Sequence, residues 1–350
     1  MPALKSPSRS ATCTSSHRLR SWRADMDDTA GILYAASITG DGSGQLLSGT
    51  AVAHEIQDDA LAWVHLDALN PASRDWIENE LDYLDPLIID ALLADETRPR
   101  LLEFENGAMM ILRGVNLNAD SQPEDMISVR VWVDPSRIIS VQRRQTKAVR
   151  DIQDKLASGN GPKDTGEFIG QLSARLFERM EPVMTELHER LDEVEERVME
   201  EPSIAERQEI TALRKQAIIF RRYFAPQRDV IAYLRTSELD WLSTGHRRRL
   251  QENLDRITRY LEDLDAIRER AQIVKDELAN ALADRMNKNL YVLSLVAAIF
   301  LPLGFLTGLL GINVGGIPGA DLPSAFWIFL VILGGISAVQ IWIFRMMKWL

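Results

Sequence analysis

The chain has 350 residues, with 40 Lys and Arg against 51 Asp and Glu, a net charge of −11 and 46% apolar residues. That acidic excess speaks against a nucleic-acid partner, because phosphate affinity rests on Lys and Arg, and the apolar fraction excludes a disordered chain. Cys13 is the one cysteine, which excludes an intrachain disulfide and a cysteine-based zinc cage.

Residues 1–25 hold Lys5, Arg9, Arg18, Arg20 and Arg23 against one carboxylate, Asp25. Rich in Ser, Thr and Arg and without an apolar stretch, they are no secretory signal and read as a disordered basic leader. An α/β domain is expected over residues 26–150. Its β-rich runs are Ile32–Ile38, Ala62–Leu66, Met109–Leu112, Ile127–Val133 and Ile138–Gln142, parted by turn signals at Gly40–Gly44, Asn106–Gly107 and Asp134–Pro135. Helical stretches at Pro71–Leu84 and Leu87–Leu93 lie between them. Strands alternating with helices, hairpins included, predict a mixed sheet.

Long acidic helices are expected over residues 151–244. Leu172, Leu176, Met180, Val183, Leu187, Leu191 and Val194 keep helical spacing through Thr165–Glu200, which therefore reads as one helix. It carries Glu186, Glu189, Asp192, Glu193, Glu195, Glu196 and Glu200, a charge run that either gathers cations by its summed field or serves solubility. His188 sits within it and reads as part of a solvated face. Glu201-Pro202-Ser203 breaks the helix, and a second runs from about Ile204 to Leu242, interrupted or kinked near Pro226.

From Gly245 to Pro302 there is neither Gly nor Pro between the two. Leu254, Ile257, Leu261, Leu264, Ile267, Ala271, Val274 and Leu278 hold a three/four spacing that runs without a breaker into an apolar segment. A stalk helix over 245–289 is expected to continue as a first membrane helix over 290–311. A loop at 312–324 leads to a second at 325–344, and a tail covers 345–350. Leu290 to Leu310 and Ala325 to Phe344 carry no charge, and each has the ~20 residues that cross a ~30 Å hydrocarbon layer. Arg285, Lys288, Arg345 and Lys348 flank the spans, whereas the loop has Asp321 and no Lys or Arg. Positive flanks stay in the cytoplasm, so both termini are expected there, in a multi-pass inner-membrane protein.

Two spans cannot enclose a polar path, so a pore requires several copies around an axis. Gly304, Gly308 and Gly311 form a small-residue strip on the first span, beside Pro302. The helix ends at Gly311-Ile312-Asn313, where free carbonyls and the Asn313 amide offer the oxygens that divalent cations require. An enzyme is not expected: HExxH, P-loop and GxSxG patterns are absent, and the five histidines share no ligand spacing. No cofactor is implied. A membrane-anchored coiled-coil scaffold remains the competing class.

The run Tyr291–Asn313, continuing Val314-Gly315-Gly316-Ile317-Pro318-Gly319, resembles the CorA/ZntB superfamily of divalent-metal transporters. Gly-Ile-Asn is similar to its zinc-associated ZntB branch, as are Arg98-Pro99-Arg100 and Leu112-Arg113-Gly114-Val115-Asn116-Leu117-Asn118. The resemblance implies a homopentameric funnel with an α/β/α cytoplasmic domain, long stalk helices, the first span inside and the second outside. It implies zinc as the transported cation, with a CorA-type magnesium, cobalt or nickel channel as the alternative and proton coupling open. It places Asn287, Leu290, Leu293 or Ser294, Ala297, Leu301, Gly304 and Gly308 toward the pore, with Leu290 and Leu301 as narrowing rings. Gly311, Ile312 and Asn313 become the selectivity motif, and Asp321 an outer cation attractor. Arg285, Lys288, Arg345 and Lys348 form an inner basic collar. A resident metal ligand set is not implied.

Overall fold

The structure, a computed structural model, describes residues 31–57, 60–81, 83–95, 98–312, 319 and 322–347. The basic leader and the positions Asn313, Asp321 and Lys348 lie outside the described residues. The described chain divides into two units. One comprises the residues up to Glu196 together with Gln208–Gln272, the other Arg197–Arg207 with the chain from Ile273 onward.

In the first unit, seven strands form one mixed sheet: β1 (Ile32–Ile38), β2 (Gly44–Leu46), β3 (Ala62–Asp67), β4 (Arg100–Glu103), β5 (Ala108–Gly114), β6 (Ile127–Val133) and β7 (Arg137–Gln142). Their order is β2-β1-β3-β7-β6-β5-β4. The β3–β7 pair alone is parallel, with Val64 opposite Ile139, and the other neighbours are antiparallel. The five β-rich runs became β1, β3, β5, β6 and β7. The edges β2 and β4 were not expected. Turn chemistry closes the hairpins: the Asp134 carboxylate accepts from Ser136 N at 2.9 Å, and a side chain at Gly107 would stand 2.6 Å from Val133 O.

Alternation divides the strands between two faces. On one, Val64, Leu66, Met109, Ile111, Ile139 and Val141 pack under α1 (Thr50–Gln57), α2 (Ala72–Glu80) and α3 (Pro86–Leu93). Asp85 caps α3, accepting from Leu87 N at 2.8 Å, with Pro86 at the first helical position. On the other face, Trp63 is fully buried and meets Phe168 edge-on at 4.9 Å between ring centroids. Its indole donates to Ser140 Oγ at 2.7 Å, and His65 Nδ1 lies 2.7 Å from the same oxygen. Burial pushes the His65 imidazole down to about 4, against weaker opposing contacts from Gln142, Ser140 and Asp67.

That face is covered by α4 (Lys147–Ala157) and α5 (Thr165–Glu178). The sheet thus has helices on both sides, the expected α/β/α arrangement. Then come α6 (Glu181–Glu200), α7 (Ile204–Thr236) and α8 (Thr244–Gly311). The single helix expected over Thr165–Glu200 is two. Arg179 closes α5, and Pro182 in the first turn of α6 cannot continue an earlier hydrogen-bond ladder. Pro226 lies inside α7, which ends at Thr236 rather than Leu242.

The stripe on α8 is buried as its spacing demands. Ile257, Leu261, Leu264, Ile267 and Ala271 are all covered, and Leu254 is half-buried. Polar links fix α8 to its neighbours within this unit. The Asn253 amide donates to Gly170 O at 2.9 Å, and Arg221 donates to Asp265 at 2.7 Å. Arg270 pairs with both Asp192 and Glu195, so part of the acidic run on α6 is neutralised rather than free to act as a field.

Candidate functional site

In the second unit, α8 runs on through Pro302 to Gly311 without interruption, and α9 (Ala325–Met346) follows. Both helices contain segments long and apolar enough to cross a membrane. Leu295, Ala298, Ile299, Leu303 and Leu306 of α8 are half-buried and recur at three/four spacing. Phe329, Leu333, Ile336, Ser337 and Gln340 of α9 do the same, and Phe344, which is buried, continues the stripe. These are the faces on which the two helices meet, and the Gln340 amide donates to Ala298 O at 3.5 Å across them.

That amide answers a defect built into the sequence. Pro302 has no N–H, so the carbonyl four residues earlier loses its helical donor. This carbonyl is Ala298 O, the one Gln340 reaches. The pairing was readable in principle, since Pro302 names its orphan acceptor and Gln340 is the one amide side chain in the second apolar run. Sequence reading missed it because the register of two helices is not set by either alone. Pro302 therefore sits inside a continuous helix with a substitute donor. Thr307 adds a local bond, its hydroxyl donating to Leu303 O at 3.0 Å.

The positions expected to face a pore take the other side. Asn287, Leu290, Ser294, Ala297, Leu301, Gly304, Gly308 and Gly311 follow strict three/four steps and are all exposed in the single chain. Leu290 is 52% and Leu301 76% exposed. A Cβ built on Gly304, Gly308 or Gly311 meets nothing within 4 Å. The glycines therefore do not serve packing of α8 against α9. Leu293, weighed against Ser294, is exposed as well. Ile312 follows the helix end and is 49% exposed.

Of the basic collar, Arg285 and Lys288 are exposed on α8 and Arg345 is exposed on the last turn of α9. A cation at a helix C-terminus is favourable on its own account. In the first unit, His188 Nδ1 contacts Met184 O of its own helix at 3.0 Å. Among the described residues no group of three His, Cys, Asp or Glu side chains is disposed to hold a metal.

Chemically, this arrangement offers one apolar helix face for a neighbouring helix of the same chain. The opposite stripe sets Leu290 and Leu301 among small side chains, with no charge between Leu290 and Gly311. In hydrocarbon such a stripe exposes carbonyls only where glycine leaves them bare, and in an assembly it supplies rings rather than single ligands.

Comparison with known proteins bears on this geometry. The family model described as CorA-like Mg2+ transporter protein matches residues 58–346. The divalent cation transporter CmaX of Pseudomonas aeruginosa is 37% identical over 326 residues, covering 92% of this chain and 98% of the relative. The zinc transport protein ZntB of Pectobacterium carotovorum is 37% identical over 299 residues, covering 84% of this chain and 90% of the relative. A solved structure of full-length CmaX superposes with a TM-score of 0.80 at 36% identity, covering 92% of this chain and 99% of that one.

Proposed function

The chain belongs to the CorA family of transporters, and on that premise we propose that it carries divalent cations, zinc foremost, across the inner membrane through a homopentameric pore. The observation that carries the proposal is the uncharged stripe from Leu290 to Gly311, exposed on the side of α8 away from α9. Two spans per chain cannot line an aqueous path, so the stripes of several copies must converge for ions to pass. Zinc is supported by the Gly311-Ile312-Asn313 motif and by the zinc transport proteins among the relatives. The divalent cation transporter CmaX, at the same 37% identity over more of the chain, carries no single metal in its name.

Each predicted residue then takes a role. Leu290 and Leu301 form apolar rings that shut the path when they dewet. Gly311, Ile312 and Asn313 select at the outer mouth, where five amides bond the ion's water shell. Asp321 gathers cations there. Arg285, Lys288, Arg345 and Lys348 hold the positive flanks in the cytoplasm with both termini. The apolar spans contain no Asp, Glu or His, so a coupled proton would have to use groups outside them.

Flux of zinc, magnesium, cobalt and nickel into proteoliposomes, with and without a pH gradient, tests this reading. Zinc is expected to pass fastest, and Asn313→Ala is expected to abolish selectivity while leaving the oligomer intact. Absence of flux for every cation favours the scaffold class, and magnesium ahead of zinc favours the CorA-type channel. A rate that follows the pH gradient identifies coupling, and an indifferent rate identifies a channel.

A further inference from the structure

The first unit holds a concentration of charge that ion passage through the membrane does not use. Lys155 of α4, Arg175 of α5, and Arg249 and Arg256 of α8 converge on a cavity of about 260 Å3, with Glu178 and Glu252 as the carboxylates of its wall. A second hollow of about 440 Å3 shares Lys155, Arg175 and Glu178 with it. Four cations face two carboxylates in the first cavity, and Glu167 pairs with Arg249 beside it, which leaves one positive charge in excess.

Of the two wall carboxylates, Glu178 is held by cations of the same wall. Glu178 is divided between Arg175 at 2.7 Å and Arg256 at 3.2 Å. Arg249 turns to Glu167 at 2.8 Å. In the neighbouring hollow, Arg179 and Asp151 satisfy each other through two hydrogen bonds. Lys155 is the group left over. Its ammonium donates to Gln171 Oε1 at 3.3 Å and, among the described residues, ion-pairs with no carboxylate. Burial, and next the Arg175 guanidinium, hold it below the usual lysine range.

The walls are built rather than fortuitous. The Arg249 stem lies against Gly170, where a Cβ would stand 2.9 Å from its Cδ. Asn253 is 4% exposed and ties α8 to the Gly170 carbonyl. α8 is thus fixed against α5, from which it is distant in sequence, before any ligand arrives, which lowers the cost of binding. The lining has no aromatic ring and so offers a nucleobase no stacking surface. The volume, about 260 Å3, lies below the usual range of ligand pockets and suits a small ion.

We propose that this cavity binds a small multivalent anion of the phosphate class, held by the Lys155 ammonium and the guanidiniums of Arg175, Arg249 and Arg256. A phosphate group carries about −1.5 to −2 charge at neutral pH and three acceptor oxygens, for which the lining supplies one ammonium and three guanidiniums as donors. Planar guanidiniums grip such oxygens in pairs.

Calorimetry on the full-length protein in detergent, in metal-free buffer with inorganic pyrophosphate as the probe, tests the site. Saturable binding, one pyrophosphate per chain, is expected. Lys155→Gln is expected to weaken it about tenfold or more, as loss of a charge-assisted hydrogen bond does. Ala174→Glu, which puts a carboxylate into the cavity, is expected to abolish it. The unfolding midpoint of each variant shows whether it is folded, and either variant alone decides the matter. No saturable binding, or equal binding in a folded variant, overturns the proposal. So does citrate binding more tightly than pyrophosphate, or displacement by chloride at matched ionic strength.

Discussion

Replacing Gln340 by Leu removes the donor that reaches Ala298 O across the two apolar helices, and the structure fixes what that costs. The amide lies 3.5 Å from the carbonyl, a long bond. Hydrogen bonds between membrane helices are worth about 0.6 kcal/mol on average and about 1.7 kcal/mol at most. The stakes are higher here than for an ordinary pair, because Pro302 leaves that carbonyl without its own helical donor. The expected destabilisation is therefore about 1 kcal/mol, most of it from the orphaned acceptor. Pro302→Ala supplies the missing N–H, so Gln340→Leu should be nearly neutral in that background. The assay is a double-mutant cycle on reversible unfolding in detergent, read as a coupling energy of about 0.6–1.7 kcal/mol. If the two substitutions prove additive within about 0.3 kcal/mol, the compensation argument fails.

Leu301→Ser should raise basal ion leak in proteoliposomes, because a hydroxyl ring stays wet where a leucine ring dewets; unchanged leak moves the gate elsewhere on α8. Asp321→Asn should raise the apparent KM for zinc at low ionic strength and leave it nearly unchanged at high salt, since its field is screened over about 10 Å at 0.1 M; a shift independent of salt rejects the attraction role. His65 titrates near 4 when folded, well below its unfolded value of about 6.5, so the unfolded chain binds the extra proton between those limits and stability falls as pH drops through that window. The loss should reach about 1–2 kcal/mol at pH 5, and His65→Gln should flatten that part of the stability profile; an equally steep profile in the variant assigns the acid sensitivity to another group.

What the sequence made legible follows from the range of each signal. Apolar periodicity is local and strong, so the five central strands and the buried face of α8 could be read directly. The three-residue β2 and the largely exposed β4 lack any such pattern, because an edge strand buries too little to constrain its residues. The break between α5 and α6 was hidden by Met180, which is buried and keeps the helical spacing across the joint. Pro302 illustrates the reverse. Its local rule predicts a defect, and the remedy sits on another helix. The cavity around Lys155 was unreadable for the same reason, since its cations lie at positions 155, 175, 249 and 256 and only the fold brings them together.

The central claim is that one stripe of α8 lines the ion path while the opposite face seats α9. Cys13 is the only native thiol, so a Cys13→Ser background permits single cysteines to be introduced at Leu301, Gly304 and Gly308, and at Leu303 and Leu306 on the other face. Zinc flux into proteoliposomes is then measured before and after a charged, water-soluble thiol reagent. The account predicts that modification blocks flux at positions 301, 304 and 308 and spares it at 303 and 306. Block at 303 and 306 with free passage at 301, 304 and 308 would contradict it.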